Sequence, residues 1–157
     1  MSITLREAGE PDLAFLRAMN GAVHALHLAA APAFFREPEP REVEAMFRAR
    51  FEHPETQVWI AEAEGTPAGF AVSSLRERPE NALCRAQRYC ELEEVCVAPA
   101  ARRKGVARAL VERVSAEARA RSIDEVHLFC LAFNAEAQAA FAALGFEPLS
   151  VRFQRGG

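Results

Sequence analysis

The hydrophobic positions of this chain switch repeatedly between the two-residue period of strands and the 3.6-residue period of helices. Alternation predicts a first strand over residues 3–7. A helical stripe that begins near Pro11 then predicts an amphipathic helix, with apolar positions at Leu13, Leu16, Val23 and Leu26. Prolines at 32, 38 and 40 are expected to end this helix, and a second helix is predicted over 43–50.

The middle of the chain is rich in strand signals. Two β-prone runs, 57–63 and 69–75, are joined by turn residues at 64–67 and predict a hairpin. The polar stretch 76–88 predicts a loop, and residues 89–97 predict a strand that Pro99 stops.

The last third predicts two more helices and two more strands. A helix is expected over 105–122 and a strand over 125–131; a second helix over 134–144, capped by Asn134 and ended at Gly145, precedes a closing strand over 146–153. The order β-α-α-β-β-β-α-β-α-β predicts an α/β fold in which a mixed sheet carries helices on both faces. No repeat or long linker divides the chain, so we expect one domain over residues 1–157.

Composition narrows the classes of function. The 157 residues are 50% hydrophobic and 26% charged, which is typical of a globular domain and argues against disorder. A formal net charge of −3 argues against duplex DNA or an anionic membrane as the main partner. No apolar run approaches the ~20 residues of a membrane span, and the first residues lack a signal-peptide layout, so we expect a soluble cytoplasmic protein.

The cysteines and histidines do not predict a metal site. No pair among Cys84, Cys90, Cys96 and Cys130 has zinc-site spacing, so we expect no metal. Cys96 and Cys130 lie in apolar stretches and are expected to be buried reduced thiols.

Candidate chemistry is concentrated where the strand that ends at Pro99 gives way to the helix that starts near Gly105. The free amides of a helix N-terminus form an anion site, and glycine lets the backbone approach an anion closely. Cationic side chains surround this point and favour a polyanion: Arg102, Arg103, Lys104 and Arg108. A solvated basic turn is the alternative interpretation of the same charges.

These residues also resemble a known family. The pattern Arg102-x-x-Gly105-x-Ala107, behind a strand carrying Val95 and Val97, resembles the acetyl-CoA loop of the GCN5-related N-acetyltransferases (GNAT), whose pattern is Arg/Gln-x-x-Gly-x-Gly/Ala. Asn134, Phe141 and the run Leu144-Gly145-Phe146 resemble that family's last helix and closing strand. The resemblance covers nearly the whole chain and implies the GNAT fold, a mixed and mostly antiparallel central sheet flanked by helices.

The resemblance implies acetyl-CoA as cosubstrate and indicates where it binds. The strand ending at Val97 is expected to splay from the next strand, so that the pantetheine arm pairs with the main chain of Val95, Cys96 and Val97. The pyrophosphate is expected to bind the backbone amides that follow Arg102, namely those of Arg103, Lys104, Gly105, Val106, Ala107 and Arg108. Asn134 is expected beside the thioester end. Backbone groups left open by a splayed strand need such a partner.

The resemblance further implies direct attack of an amine on the thioester, with a carboxylate as base. Glu91 and Glu93 are the candidates, and the two-residue period places both on the face of Val95 and Val97, with Glu94 opposite. An acidic rim that only attracts a cationic substrate is the alternative. Phe141 stands where many family members carry a tyrosine that protonates the leaving thiolate, and a phenyl ring has no proton to give.

The acceptor is expected to be a small-molecule amine or a protein amino group. Its pocket would be walled by the first two helices and the loop 76–88, with candidates His24, His27, Phe34, Phe35 and Arg36. Two rival functions are a non-catalytic acyl-CoA-binding or sensing module, which Phe141 favours, and a scaffold whose basic loop meets an acidic partner. Dimers are common among such domains, so a homodimer is a further expectation.

Overall fold

A computed structural model describes residues 1–156 and contains five strands and four α-helices. These elements are β1 (Ile3–Glu7), α1 (Leu13–Ala30), α2 (Pro40–Glu52), β2 (Thr56–Ala63), β3 (Thr66–Arg78), β4 (Gln87–Val97), α3 (Val106–Ala120), β5 (Val126–His127) and α4 (Ala135–Ala143). The strands form one sheet in the order β1-β2-β3-β4-β5, antiparallel except for the parallel pair β4–β5. This confirms the predicted mixed, mostly antiparallel sheet flanked by helices.

Helices cover both faces of the sheet. Helix α3 packs on one face, where Leu110 and Val114 are fully buried against Trp59. Helices α1 and α2 cover the other face, where Phe47 and Phe70 meet edge to face with ring centroids 5.8 Å apart. Because successive strand residues point to opposite faces, each central strand contributes to both cores, and this double burial fixes the positions of the strand ends that carry the site.

The predicted loop over 76–88 is shorter than expected. Strand β3 runs on to Arg78 and β4 begins at Gln87, so only residues 79–86 connect them. The polar composition predicted a loop, but charged residues of this stretch instead pair across β3 and β4. For example, Arg88 Nε lies 3.2 Å from Glu77 Oε1.

Pro40 was expected to help end the first helix, and in the structure it also begins the second one. Pro40 is the first residue of α2, where its fixed φ suits the helix and its missing N–H costs nothing. The Glu42 carboxylate accepts the Glu39 amide at 3.1 Å and secures the same turn.

The end of the chain departs most from prediction. Strand β5 comprises only Val126 and His127 instead of 125–131, and residues 146–153 form no strand. Pairing with β4 ends at His127, and within residues 1–156 no other strand pairs with the segment that follows. An alternating apolar pattern predicts a strand, but the strand forms only where a partner supplies its hydrogen bonds.

The four cysteines differ widely in exposure, and this predicts the order in which an alkylating reagent modifies them. Cys90 and Cys96 are buried, Cys130 is half-buried and Cys84 is exposed. Burial raises the pKa of the Cys96 thiol to about 12, and it raises the pKa of Cys90 as well. Since the thiolate is the nucleophile, we expect an alkylating reagent to modify Cys84 first and Cys96 last, as read by peptide mass spectrometry. Equal labelling of Cys84 and Cys96 in the folded chain would contradict this; unfolded protein is the control.

Two classes of feature are not found in the residues that the structure describes. No helix in the described part of the chain combines the length and hydropathy of a bilayer-spanning segment. Within residues 1–156, no group of three or more His, Cys, Asp or Glu side chains is placed to hold a metal ion.

Candidate functional site

A gap opens between β4 and β5. The parallel pairing joins Cys90 to Val126 and Glu91 to His127 and goes no further, while β4 continues to Val97. On its other edge β4 stays paired with β3 through Val97, opposite Gly69. The edge of β4 that faces the gap is therefore open along Val95, Cys96 and Val97, three residues predicted to bind the cofactor.

Gly69 brings helix α3 close to this strand. A Cβ atom at position 69 would lie 2.7 Å from the Cys96 carbonyl oxygen and 3.0 Å from Val106 Cγ1, so only glycine fits. The sequence analysis did not single out Gly69, although a glycine inside a β-rich run signals close backbone approach.

The loop from β4 to α3 presents an unbroken row of free amides. Gly105 caps the helix with φ +86°, and Arg103 also has a positive φ, of 60°. The six backbone amides of residues 103–108 donate to no acceptor within residues 1–156. The next amide, that of Ala109, donates to the Gly105 carbonyl. The positive end of the helix dipole adds to this N–H cradle, and this arrangement is typical of sites that bind anions.

The basic side chains around the cradle keep their charges uncompensated. Arg102 Nε donates to the Val97 carbonyl at 3.4 Å, and Lys104 Nζ donates to the Ala100 carbonyl at 2.8 Å. Arg108 reaches the Ala143 carbonyl at 3.4 Å. None of these three, nor Arg103, forms an ion pair with a carboxylate in the described chain.

The structure gives the other predicted cofactor residues distinct positions. The Val106 side chain is buried in the core, so only its amide faces the cradle, and Ala107 is half-buried. Asn134 caps α4, where its Oδ1 accepts the Ala137 amide at 3.1 Å. Its side-chain NH₂ has no acceptor among residues 1–156, which leaves that group able to donate to a ligand.

A β-bulge places the acidic residues on one side of β4. The register pairs Val72 with Glu94 and Ser73 with Leu92, so Glu93 is the extra residue. Leu92 and Val95 pack toward α3, whereas Glu93 and Glu94 both contact Arg50 of α2. The expectation that Glu91 and Glu93 share the face of Val95 and Val97, with Glu94 opposite, is wrong because the bulge interrupts the two-residue period.

Two arginines connect these carboxylates. Arg76 bridges Glu91, at 2.7 Å, and Glu93, at 2.9 Å. Arg50 bridges Glu93, at 3.4 Å, and Glu94, at 3.1 Å. Sequence reasoning missed both arginines, because their contacts depend on how α2 and β3 pack against β4.

Two neutral side chains also donate hydrogen bonds to the acidic cluster, which consists of Glu91, Glu93 and Glu94. The buried Ser74 donates its hydroxyl to Glu93 at 2.6 Å, and Asn20 of α1 donates to Glu94 at 3.2 Å. Glu93 thus has three partners and Glu91 has one, so the two candidate bases are held with different rigidity.

The predicted acceptor residues gather at the C-terminal end of α1. His27 stacks on Phe35 with ring centroids 5.3 Å apart and meets Phe133 edge to face at 5.8 Å. Burial lowers the pKa of His27, and the nearby His24 lowers it further. His24 Nε2 lies 2.7 Å from the Arg36 carbonyl oxygen. The arrangement is an aromatic patch with a half-buried imidazole.

Phe141 and Tyr89, the one tyrosine of the sequence, both pack against another aromatic ring. Phe141 is half-buried and meets Phe146 edge to face at 6.0 Å. Tyr89 stacks on His127 at 4.3 Å, near the start of β4 and before the gap opens.

Comparison with known proteins connects this geometry to a family. The family model described as the acetyltransferase (GNAT) family matches residues 22–146, a span that holds the acidic cluster, the amide cradle and Asn134. A search of curated proteins found no significant match.

Solved structures share the fold. A tetramutant of the BH1408 protein from Bacillus halodurans is 21% identical over 98% of this chain and 99% of its own, with a TM-score of 0.92. The aminoglycoside N-acetyltransferase AAC(6')-Iy in complex with CoA is 24% identical over 99% and 95%, with a TM-score of 0.76. Aminoglycoside 6'-N-acetyltransferase AAC(6')-IG from Acinetobacter haemolyticus is 18% identical over 98% of both chains, with a TM-score of 0.76.

Proposed function

This chain belongs to the acetyltransferase (GNAT) family, and we propose that it transfers an acetyl group from acetyl-CoA to a primary amine of a small molecule or of a protein. The observation that carries the proposal is the row of six unpaired amides at residues 103–108. A pyrophosphate is the ligand that such a row fits, since it offers several anionic oxygens to neighbouring N–H groups. One protein of the same fold, AAC(6')-Iy, is known in complex with CoA.

The residues around the cradle fit the rest of the cosubstrate. Arg102, Arg103, Lys104 and Arg108 would hold its phosphates, and the open edge of β4 along Val95, Cys96 and Val97 would pair with its two amide groups. The free NH₂ of Asn134 would donate near the thioester end. When bound, acetyl-CoA supplies the thioester carbonyl that the amine attacks and the thiolate that leaves.

Glu91 and Glu93 would act on the acceptor amine. Their carboxylates, and that of Glu94, attract a cationic substrate and accept its proton directly or through water. Arg76 holds Glu91 and Glu93 in a fixed orientation, so this side of β4 is preorganised before the amine arrives. Phe141 supplies no proton, and the leaving thiolate departs unassisted or takes one from water.

Release of free thiol tests the proposal. The chain is incubated with acetyl-CoA and a panel of amines, and thiol is measured in a Cys84→Ser background, because the exposed Cys84 would otherwise contribute signal. Acceptor-dependent thiol release supports acetyl transfer. A melting temperature that rises with CoA, but no thiol release with any amine, would instead favour a non-catalytic acyl-CoA sensor, the alternative to which Phe141 points.

Gly105 provides a test of the cradle alone. Replacing Gly105 with valine is expected to weaken CoA binding, because position 105 has φ +86° and a β-branched residue there would distort the row of amides. Isothermal titration calorimetry measures the change in Kd.

Gly65→Val is the matched control for Gly105→Val. Gly65 also has a positive φ, of 76°, but lies in the β2–β3 turn away from the site, and an added Cβ meets nothing within 4 Å. We expect both variants to lose stability and only Gly105→Val to lose CoA affinity. Unchanged affinity in Gly105→Val would place the phosphates elsewhere.

A further inference from the structure

The acidic cluster is only partly neutralised by the arginines that contact it. Arg50 lies 3.4 Å from Glu93 and 3.1 Å from Glu94. Arg76 lies 2.7 Å from Glu91 and 2.9 Å from Glu93. No other basic side chain in the described part of the chain forms an ion pair with these carboxylates. Three carboxylates and two guanidinium groups therefore leave the cluster with one uncompensated negative charge.

This charge lies where solvent screens it poorly. The side chains of Glu91 and Glu93 are 20% exposed, and that of Glu94 is 21% exposed. A partly buried carboxylate without a counter-ion attracts a cation more strongly than one in water does. A primary amine arrives protonated at neutral pH, so one ammonium group would balance the charge of the cluster.

Arg50 is held in place at this cluster. Its guanidinium carbon lies 5.2 Å from the centre of the ring of Phe47, which is fully buried, and its side chain is 17% exposed. The guanidinium group thus lies between an aromatic face and two carboxylates, and moving it away would cost both sets of contacts. A second ammonium group on the acceptor would meet this fixed positive charge, and like charges in a partly buried site repel each other.

One face of α1 connects the cluster to the aromatic patch, which consists of His24, His27, Phe35 and Phe133. Asn20, His24 and His27 share this face, because they lie four and three residues apart along the helix. Asn20 donates to Glu94 at 3.2 Å, so the face begins at the cluster. At 1.5 Å per residue, His27 lies about 10 Å further along the helix axis.

The aromatic patch has no negative charge to offer a second ammonium group. Burial lowers the pKa of His27 from its ordinary value, so its imidazole is neutral at pH 7. No hydrogen bond or ion pair within residues 1–156 joins His24 or His27 to a carboxylate. The patch is suited to an apolar group. It extends to Phe133, which directly precedes Asn134 at the expected thioester end.

We propose that the acceptor is an amine with a single positive charge and an apolar body, and that Arg50 is the residue that excludes amines with a second charge. The inference rests on the proposed acetyl transfer and names the class of its acceptor. The ammonium group would lie at the acidic cluster and the apolar body along the aromatic patch. Specificity then comes from repulsion by a fixed cation as well as from attraction.

Two amines of equal length test the charge. Calorimetry measures the Kd of n-butylamine and of 1,4-diaminobutane for the full chain saturated with CoA, which carries no acetyl group, so that binding is measured without turnover. We expect n-butylamine to bind about tenfold more tightly, because the diamine brings a second charge toward Arg50. Arg50→Met should abolish this preference, and Arg50→Lys should keep it. Equal or tighter binding of the diamine to the wild-type chain would overturn the proposal.

Arg48→Met is the matched control for Arg50→Met. Arg48 lies two residues earlier on α2 but pairs with Glu10 at 2.7 Å, outside the acidic cluster. The ratio of the two Kd values should be that of the wild type in Arg48→Met, and a ratio that changes equally in both variants would overturn the role of Arg50. The melting temperature shows whether Arg50→Met is folded; if it is not, the wild-type ratio still decides the proposal.

A longer amine tests the apolar body. We expect n-octylamine to bind more tightly than n-butylamine, and Phe35→Ala should remove this gain. Phe153→Ala should keep it, because Phe153 is 90% exposed and lies outside the aromatic patch. A gain that survives in Phe35→Ala would overturn the role of the patch. Nα-acetyl-lysine methylamide has the same single charge on a peptide backbone, and tighter binding of this probe than of n-octylamine would identify a protein lysine and overturn the apolar body.

Thiol release from acetyl-CoA distinguishes failure of this inference from failure of the proposed function. If no amine releases thiol, acetyl transfer is overturned, and the role of these amines as acceptors with it. If thiol is released and 1,4-diaminobutane has the higher kcat/KM, acetyl transfer stands and the acceptor of single charge is overturned.

Discussion

Replacing both Glu91 and Glu93 with glutamine is expected to lower kcat for acetyl transfer at neutral pH by about 10²–10⁴-fold, the usual contribution of a positioned general base. The amide keeps the shape and a hydrogen-bond acceptor for Arg76 but has no site that takes up the amine proton. The Kd for CoA should stay essentially unchanged, because both residues lie on the α1/α2 side of β4, away from the amide cradle. Thiol release measures kcat, and calorimetry measures Kd.

The single variants separate catalysis from structure. Glu93 accepts from Ser74, Arg76 and Arg50, whereas Glu91 accepts from Arg76 alone among residues 1–156. Glu93→Gln should therefore lower the melting temperature more than Glu91→Gln, because it weakens three contacts of a half-buried network. If catalysis uses Glu91, the variant with the smaller loss of stability will show the larger loss of kcat.

A neighbouring ion pair supplies the control for the double variant. Glu77 lies on β3, is 74% exposed and pairs with Arg88, outside the acidic cluster. Glu77→Gln should leave kcat unchanged. If the Glu91→Gln, Glu93→Gln double variant keeps the pH–rate profile of the wild type, neither residue acts as a base. Both would then form only an acidic rim that attracts the substrate.

Local signals were sufficient to predict the position of the free amides that form the candidate anion site. The coincidence of Pro99, four basic residues and Gly105 marks the end of a strand and the start of a helix, and the structure places the free amides at that junction. Such a site depends on consecutive residues, so a single sequence contains nearly all of the information that it needs. The family resemblance added the identity of the expected anion.

The acidic cluster required information that the two-residue period does not contain. One bulge at Glu93 rotates the strand so that Glu93 and Glu94 face the same helix, and no composition rule locates that bulge. Arg50 and Arg76 enter from other elements, and Ser74 lies two residues before Arg76 with an ordinary strand signal. Contacts between elements distant in sequence thus decide how many partners hold each carboxylate.

The closing strand predicted over residues 146–153 does not form, and the reason differs from that at the acidic cluster. The alternation of Leu149, Val151 and Phe153 predicts a strand as strongly as that of β1. However, β1 pairs with β2, whereas these three residues form no backbone hydrogen bond within residues 1–156. Periodicity indicates that a segment suits a sheet, but it does not indicate whether a neighbouring strand is available to pair with it.

Replacing Gly69 with alanine is expected to lower the free energy of unfolding by about 2 kcal/mol, the scale of overpacking a well-filled core. The new methyl group would lie 2.7 Å from the Cys96 carbonyl oxygen and 3.0 Å from Val106 Cγ1. Neither neighbour is a flexible side-chain end: one is backbone of β4, and the other is a buried residue that begins α3. Relief of the clash must therefore move β4 or α3, which together form the cradle and its open strand edge, so CoA affinity should fall with stability.

Gly21→Ala tests whether the effect comes from the clash or from losing a glycine. Gly21 lies inside α1, and an added Cβ there meets nothing within 4 Å. Alanine should raise the free energy of unfolding by about 0.5–1 kcal/mol, because it restricts the unfolded chain and favours helix. The two glycine-to-alanine changes are thus expected to have opposite signs in urea denaturation. A neutral Gly69→Ala would mean that β4 and α3 separate at little cost, and the site would then be less rigidly preorganised than the contact at Gly69 implies.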